Sequence, residues 1–387
     1  MNRVPLAAAV LTILMLTAYA WSRESGVHAW SVVIGAAAGV VLYNASFGFT
    51  AGWRAMVLHR RGRGLRAQML LIGLVVIVAY PLIAMGGAFG LDVRGNVLPM
   101  GVASALGAFV FGVGMQLGSG CASGTLFTAG GGSSRMMLVL VFFVAGSVWA
   151  TAHWDFWAGL PRTRSGVSLI GILGWPGAVA AMLALVGGIW ALSVVLERRA
   201  HGGLETGGGG ARWSIWAGAV GLALVAIAFL LATGRPWGIT YGFAVWGAQV
   251  ADLAGANPTD WTYWSGWRQG HVEGGPISTP TNASNLGIMA GAMAAAALAG
   301  RWQPVWSLSA RDVVTAVLGG LLMGYGARLA YGCNIGAYLG ALTSGSLHGL
   351  WWLVWGFAGS FVGVGLRVAI GMDPRAGPKR PGAALTP

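Results

Sequence analysis

Ten apolar runs, each long enough to cross a hydrocarbon layer about 30 Å thick as a helix, constrain this chain more than any other feature. They lie at 4–21, 29–46, 67–89, 98–117, 136–152, 177–196, 214–233, 285–300, 312–331 and 349–370. Soluble domains carry about 25% charged residues, whereas here 9% are charged and 56% belong to the apolar set. The expected fold class is an all-α polytopic membrane protein, one membrane domain over 1–387 with 9–10 transmembrane helices. The 66 glycines follow no G-X-Y period, which excludes a collagen-like fibre. The segment 1–21 reads either as an extra N-terminal transmembrane helix or as a signal, because Arg3, an apolar stretch and Ala18-Tyr19-Ala20 also fit a cleavable leader.

A net charge of +13 suggests nucleic acid only until the cations are placed along the chain. Alternating sides from Trp21 outside puts 15 of the 23 Lys and Arg on inner connections: Arg3, Arg54, Arg60, Arg61, Arg63, Arg66, Arg135, Arg198, Arg199, Arg212, Arg301, Arg311, Arg375, Lys379 and Arg380. Six lie outside, Arg23, Arg94, Arg162, Arg164, Arg235 and Arg268, leaving Arg328 and Arg367 within spans. That asymmetry is the positive-inside pattern. It predicts cytoplasmic N and C termini, a cytoplasmic tail over 371–387, the lipid bilayer as surroundings and no nucleic-acid partner. The outer loop 252–284 carries Trp261, Tyr263, Trp264 and Trp267, aromatics of the kind that settle at headgroup level. His271-Val272-Glu273 has the deaminase H-x-E form without the accompanying Pro-Cys-x-x-Cys and reads as loop. Asn282-Ala283-Ser284 is a formal glycosylation triplet, relevant only to a eukaryotic secretory pathway.

The chain also repeats itself. FGVGMQLGSGCASGTLF (111–127) and MGYGARLAYGCNIGAYL (323–339) agree at six of seventeen positions, and the only two cysteines, Cys121 and Cys333, fall in one column at an offset of 212. Leu106-Gly107 and Leu318-Gly319 extend the match, and Ala145-Gly146-Ser147 meets Ala358-Gly359-Ser360 after a one-residue slip. A weaker echo joins the GFTAG segment starting at Gly48 to GITYG at 238–242. The predicted organisation is a first repeat over 29–152, a second over 214–370, and a single helix at 177–196 that inverts the second copy, giving two inverted pseudo-symmetric halves. Four segments, 44–56, 118–134, 236–250 and 331–346, are too short and too rich in Gly, Ser, Thr and Asn to span; they read as four short re-entrant pore helices. Irregular backbone at membrane depth is tolerated where it lines a wet path, and half-helix N-termini favour an anion there.

Each cysteine sits in Gly-Cys-x-x-Gly, Gly120 to Gly124 and Gly332 to Gly336, a spacing that lets backbone approach either side of the sulfur. A single membrane cysteine is ordinarily a small buried hydrophobe; two in matching columns favour function. The GxxxG spacings Gly35 to Gly39, Gly320 to Gly324 and Gly359 to Gly363 read as helix packing. Arg328 is either an intramembrane functional cation or a residue at the lip that snorkels to the surface. Asn334 and Asn44 either cap the re-entrant helices or bind cargo, and His348 opens the last span. Two cysteines support neither a disulfide framework nor a thiolate metal cage, so no metal and no cofactor is expected.

The strings GVGMQLGSGCASGTLFTAG, GGLLMGYGARLAYGCNIGAYLGALTSGSLHGL and the looser SFGFTAGWR resemble the YeeE/YedE sulfur-transport family over residues 30–370. That resemblance implies an hourglass-shaped bacterial inner-membrane protein of nine spans plus short pore helices, taking up thiosulfate through contacts with pore cysteines. It puts Cys121 and Cys333 in the substrate path, with Gly120, Gly124, Gly332, Asn334 and Gly336 shaping it. Family members of the thiosulfate type have a further pore cysteine in an earlier re-entrant segment; here Gly48 and the cysteine-free stretch 236–250 stand instead.

The expected function is therefore transport, not enzymatic, of thiosulfate or a closely related small sulfur-containing anion, with a related selenium oxyanion as neighbour in the same class. The rival is a membrane thiol enzyme in which one cysteine attacks a sulfur donor and carries a persulfide to a cytosolic sulfurtransferase, TusA-like or rhodanese-like. That step needs an activating base or cation, and only Arg328 is close in sequence. A purely structural membrane protein leaves the glycine-punctuated segments unexplained. No G-x-x-x-x-G-K-[ST] loop is present, which excludes direct ATP drive.

Overall fold

The computed structural model describes residues 1–206, 211–304 and 306–373. Most of the predicted tail, with Arg375, Lys379 and Arg380, lies outside these described residues. In chain order the helices are α1 (Arg3–Arg23), α2 (Gly26–Ala45), α3 (Phe49–His59), α4 (Arg63–Met85), α5 (Val102–Gly118), α6 (Ala122–Gly130), α7 (Ser134–Ala152) and α8 (Trp154–Ala158). There follow α9 (Leu169–His201), α10 (Ile215–Thr233), α11 (Thr240–Leu253), α12 (Gln269–Glu273), α13 (Pro280–Leu298), α14 (Ala310–Leu329), a π-wound turn (Asn334–Leu339) running into α15 (Gly340–Leu342), and α16 (His348–Ala369). Among the described residues nine spans are long and apolar enough to cross a membrane. The chain is a multi-pass membrane protein.

Starts and stops follow local chemistry. The hydroxyls of Ser133, Ser168, Ser214 and Thr279 accept the first amides of α7, α9, α10 and α13, and Ser309 with Asp312 forms a capping box on α14, which satisfies donors that a helix start leaves open. The helix over 177–196 is longer than its apolar core: α9 runs for 33 residues with a break at Gly174 (φ 66°) just before Pro176. α13 begins at Pro280, five residues before the expected start. Its first turns carry Asn282, Ser284 and Asn285, all fully buried, which is why it is not apolar enough to count among the nine spans although its neighbours enclose it. The formal glycosylation triplet is thereby sequestered, with Asn282 donating to the Gly242 carbonyl at 3.0 Å.

Helix neighbours keep their pattern when the two repeats are exchanged. α5 packs on α16 as α7 packs on α14, α2 on α13 as α10 on α4, α3 on α4 as α11 on α13, while α5 and α14 pack on each other. The α5/α16 and α7/α14 crossings are one joint built twice. A Cβ on Gly112 would stand 2.2 Å from the Gly356 carbonyl oxygen, and on Gly324, its column-mate, 2.2 Å from that of Phe143. On Gly359 it would stand 1.9 Å from the Phe109 carbonyl oxygen, and on Gly146 2.4 Å from that of Leu321. Backbone touches backbone at each contact, the use of small residues common where helices cross in a membrane. Gly35 and Gly39 are pressed in the same way against Ser284 and Ile288 of α13, so the GxxxG spacings are packing.

At the arginine-rich face an ion network ties α4 to α9. Glu197, fully buried, accepts from Arg66 Nη1 at 2.7 Å, Arg61 Nη1 at 3.3 Å, the Gly62 amide at 3.1 Å and the Glu205 amide at 2.9 Å. The loop 252–284 divides, with Trp267 exposed and Tyr263 and Trp264 buried. Trp264 is fully buried and donates to the Thr151 hydroxyl at 3.0 Å, and the Tyr263 ring packs on Trp154. His271 stands in the short helix α12 rather than in loop, its Nδ1 2.7 Å from the Tyr241 hydroxyl. Enough aromatic area is gathered here to fold the connection down over the helix ends.

Candidate functional site: two matching cysteine turns

The turn before each short helix has one backbone design. α5 ends directly before, and α14 one residue before, a residue that turns left-handed (Ser119 φ 66°, Tyr331 φ 59°); a glycine follows, and the cysteine then lies extended as the N-cap. The Cys121 carbonyl accepts from the Thr125 amide at 2.7 Å and the Cys333 carbonyl from the Ala337 amide at 2.8 Å. A non-glycine residue at positive φ costs about 1–2 kcal/mol, and here that cost falls in the same column of both repeats. Gly332 (φ 154°) must be glycine, because a Cβ would meet the Ala337 amide nitrogen at 2.8 Å.

Gly120 stays close to backbone, a Cβ there standing 3.4 Å from the Thr125 amide nitrogen, whereas Gly124 and Gly336 leave room. A Cβ on Gly124 would meet only the Cys121 sulfur, at 3.6 Å, and one on Gly336 only the Gly238 Cα, at 3.7 Å. At Gly48 it would find Ala51 at 4.0 Å, and at Gly238 nothing within 4 Å. Gly48 lies at φ −145°, extended backbone open to any residue. The thiols themselves are buried, 1% and 0% exposed, in one cluster, and the helices that follow them touch. Cys121 contacts the Ser123 hydroxyl at 3.4 Å. The amides of Ile335 and Gly336 are turned toward the Cys333 sulfur without a full capping hydrogen bond.

Asn334 is fully buried, and both its side-chain nitrogen and its oxygen lack partners, which makes it a free donor and acceptor beside Cys333 rather than a cap. Asn44 is neither a cap nor free: it donates to Val40 within its own helix at 2.9 Å. Arg135 and His348, column-mates by the one-residue slip, hold matching carbonyls at the ends of α5 and α14, Gly118 (2.8 Å) and Ala330 (3.3 Å). His348, at the start of α16, is therefore buried structure, with its other ring nitrogen 2.8 Å from the Pro99 carbonyl.

Over the Cys333 turn lies a cavity of about 670 Å³ whose walls include Gly332, Gly336, Gly238, Tyr331, Arg328 and Arg268. Arg328 is 5% exposed, its Nε and Nη1 have no partner, and its guanidinium stands 5.7 Å from the Tyr241 ring and 5.5 Å from the Tyr263 ring. It faces the cavity and does not snorkel away. Arg268 lies 4.7 Å from the rings of both Tyr263 and Trp267, with its Nε also unpartnered. Burial holds the His271 imidazole below its ordinary pKa, and the positive charges of His28 and Arg268 act in the same sense. Among the described residues lining the cavity there is no carboxylate. The buried, unpartnered nitrogens of Arg328, with Arg268 part-buried beside it and held by the Tyr263 carbonyl at 3.2 Å, form an anion-receiving surface, since an unmade charged hydrogen bond is costly.

Sequence reasoning missed Arg268, Tyr241 and Tyr263, which approach Arg328 only through the fold of the loop. It also missed Ser119 and Tyr331, though both stand two residues before a cysteine within the aligned repeat.

The chain is 26% identical to the thiosulfate transporter TsuA of Spirochaeta thermophila over 324 residues, 78% of this chain and 88% of that protein. It is 26% identical to TsuA of Escherichia coli over 329 residues, 78% and 84% of the two chains. The probable transporter YedE of Salmonella typhimurium is 37% identical over 102 residues, so the match spans 26% of this chain and only 25% of YedE. The sulphur-transport family model matches residues 44–362, and the chain belongs to that family.

Proposed function

We propose that this protein takes up thiosulfate, or a closely related small sulfur oxyanion, through a path that runs from the 670 Å³ cavity past Cys333 and Cys121 to the arginine-rich face. The observation that carries the reading is Arg328, a buried guanidinium with two unpartnered nitrogens at the wall of that cavity, directly before the Cys333 turn. The cavity face is external in this reading and both termini are cytoplasmic in a bacterial inner membrane, an orientation that the positive-inside asymmetry of the cations supports. In this reading the four short helices are re-entrant and the halves inverted, which the exchange of neighbours between the repeats supports.

A dianion at membrane depth costs at least a few kcal/mol without partners. Guanidinium groups, helix-start amides and the free Asn334 amide offset that cost outside, and the thiols follow as weak donors. Weak successive sites suit conduction, because a deep well would retain the anion. A neutral thiol serves better than a thiolate, which would repel the cargo. The polar contact of Cys121 is a serine hydroxyl, which cannot act as the base that a persulfide-forming enzyme requires, so the reading is transport. A cytosolic sulfurtransferase is the acceptor we assign to the released anion.

Uptake of labelled thiosulfate, sulfite and sulfate by vesicles carrying the protein tests this directly. Thiosulfate should accumulate, and Arg328→Gln should reduce its uptake about tenfold or more with normal membrane abundance. An Arg328→Gln variant that transports at the wild-type rate would remove the cavity from the path.

A further inference from the structure

The two cysteine turns share a backbone but meet different electrostatics. At the outer turn Nε and Nη1 of Arg328 and Nε of Arg268 stand open, while Arg268 Nη1 donates to the Tyr263 carbonyl at 3.2 Å. At the inner turn Arg367 of α16, 5% exposed, donates from Nη1 to the Gln116 carbonyl at 2.7 Å and to the Ser119 hydroxyl at 2.8 Å. Its opposite edge, Nε and Nη2, grips both carboxylate oxygens of Asp373, the Nη2 contact being 3.0 Å. Arg54 of α3 lies within electrostatic reach of both Arg367 and Asp373, and its Nη1 is buried without a partner.

A guanidinium fork closed on two oxygens is the arrangement by which arginine holds an oxyanion. Duplication did not supply this arginine. The column-mate of Arg367 is Trp154, and that of Arg328 is Gln116. Each turn receives its cation from a different helix, so the cation recurs by chemistry and not by inheritance from the repeat. Arg367 keeps the Asp373 carboxyl below the usual carboxylate range, partial burial opposes it, and Arg54 and His59 add to the lowering.

The geometry points to a second anion site at the inner turn, formed by Arg367 and Arg54 beside Ser119, that takes small oxyanions and in which Asp373 is the resident counter-anion. Its role rests on the transport reading: an anion leaving Cys121 exchanges with the Asp373 carboxylate and is thereby displaced toward the cytoplasm. The outer turn, with no such carboxylate, collects; the inner turn releases.

Sulfate is the probe, added to the purified full chain in detergent at low ionic strength with chloride of matched ionic strength as reference. Arg328→Gln serves as background to silence the outer cavity. There, Asp373→Asn should gain a sulfate-dependent rise in Tm of several degrees that its parent lacks, and adding Arg54→Gln should abolish it. Each variant is its own reference, so a lower starting Tm does not spoil the reading, and Asp373→Ser repeats the measurement with a smaller side chain. No sulfate-dependent rise in either Asp373 variant, or a rise that survives Arg54→Gln, overturns the site. In vesicles Asp373→Asn alone should lower both KM and Vmax for thiosulfate severalfold, a split that loss of folded protein cannot produce. A wild-type protein that moves no thiosulfate would refute the transport reading while the sulfate measurement still decided the site.

Discussion

Cys121 and Cys333 differ from ordinary buried thiols in being N-caps that follow a left-handed residue, with room beside the glycine three residues on. Core cysteines usually sit within a helix or strand and fill volume. Replacing either by Ala should depress thiosulfate uptake at least about tenfold with a near-normal Tm, Ser should restore part of it, and the double change should cost less than the sum of the two. Normal transport by both Ala variants would reduce them to packing. Gly48 lends itself to a gain-of-function test, because its backbone is extended and its Cβ direction is open. Gly48→Cys should fold and narrow competition by sulfite, and undiminished competition would mean that donors and shape, not thiol number, select the cargo. The cysteines were legible because a repeat aligns them. Arg367 was not, since its partners Gln116 and Ser119 are about 250 residues away and no periodicity encodes a contact of that span.

Elements were legible where a period or a cap marks them. Long apolar helices announced themselves, and their ends moved by a few residues where Ser and Thr caps or Gly174 decided them. Winding was not legible. The segment after Cys121 is an α-helix, whereas the matching segment after Cys333 is π-wound, its cysteine carbonyl accepting from both the Ala337 amide (2.8 Å) and the Tyr338 amide (3.2 Å). That turn is set by its surroundings, with Tyr338 stacked on Trp352 and edge-on to Phe49 and Trp53, contacts that tie it to α16 and to α3, nearly 300 residues earlier in the chain. The α4/α9 network carries a prediction of its own. Glu197→Gln leaves Arg66 buried without its charge partner, a change that typically costs about 3–5 kcal/mol. Thermal unfolding of the purified protein should therefore fall by several degrees, and an unchanged Tm would show that water reaches the pair.

For the whole molecule, the two turns face opposite ways in the proposed topology. Membrane-impermeant thiol reagents added from outside should modify Cys333 faster than Cys121, since Gly332 and Gly336 wall the outer cavity. Preference for Cys121 would reverse the assignment of sides. The twin joints decide how such a molecule can move. Where α5 meets α16, and α7 meets α14, main chain rests on main chain at the glycine contacts, and the Gln116–Ser360 and Ser147–Gly324 hydrogen bonds pin the same joints, which leaves the helices little freedom to slide. We expect such a frame to resist shear, so that the two halves stay fixed relative to one another while the anion binds. Motion is then expected in the short helices and the two strained turns, as in a fixed gallery with small doors. Hydrogen exchange should show this division of labour: saturating thiosulfate should alter protection in α3, α6, α11 and the π-wound turn, while amides at the crossings of α5, α7, α14 and α16 stay unchanged. Ligand-dependent exchange at those crossings would show that the frame itself gives way.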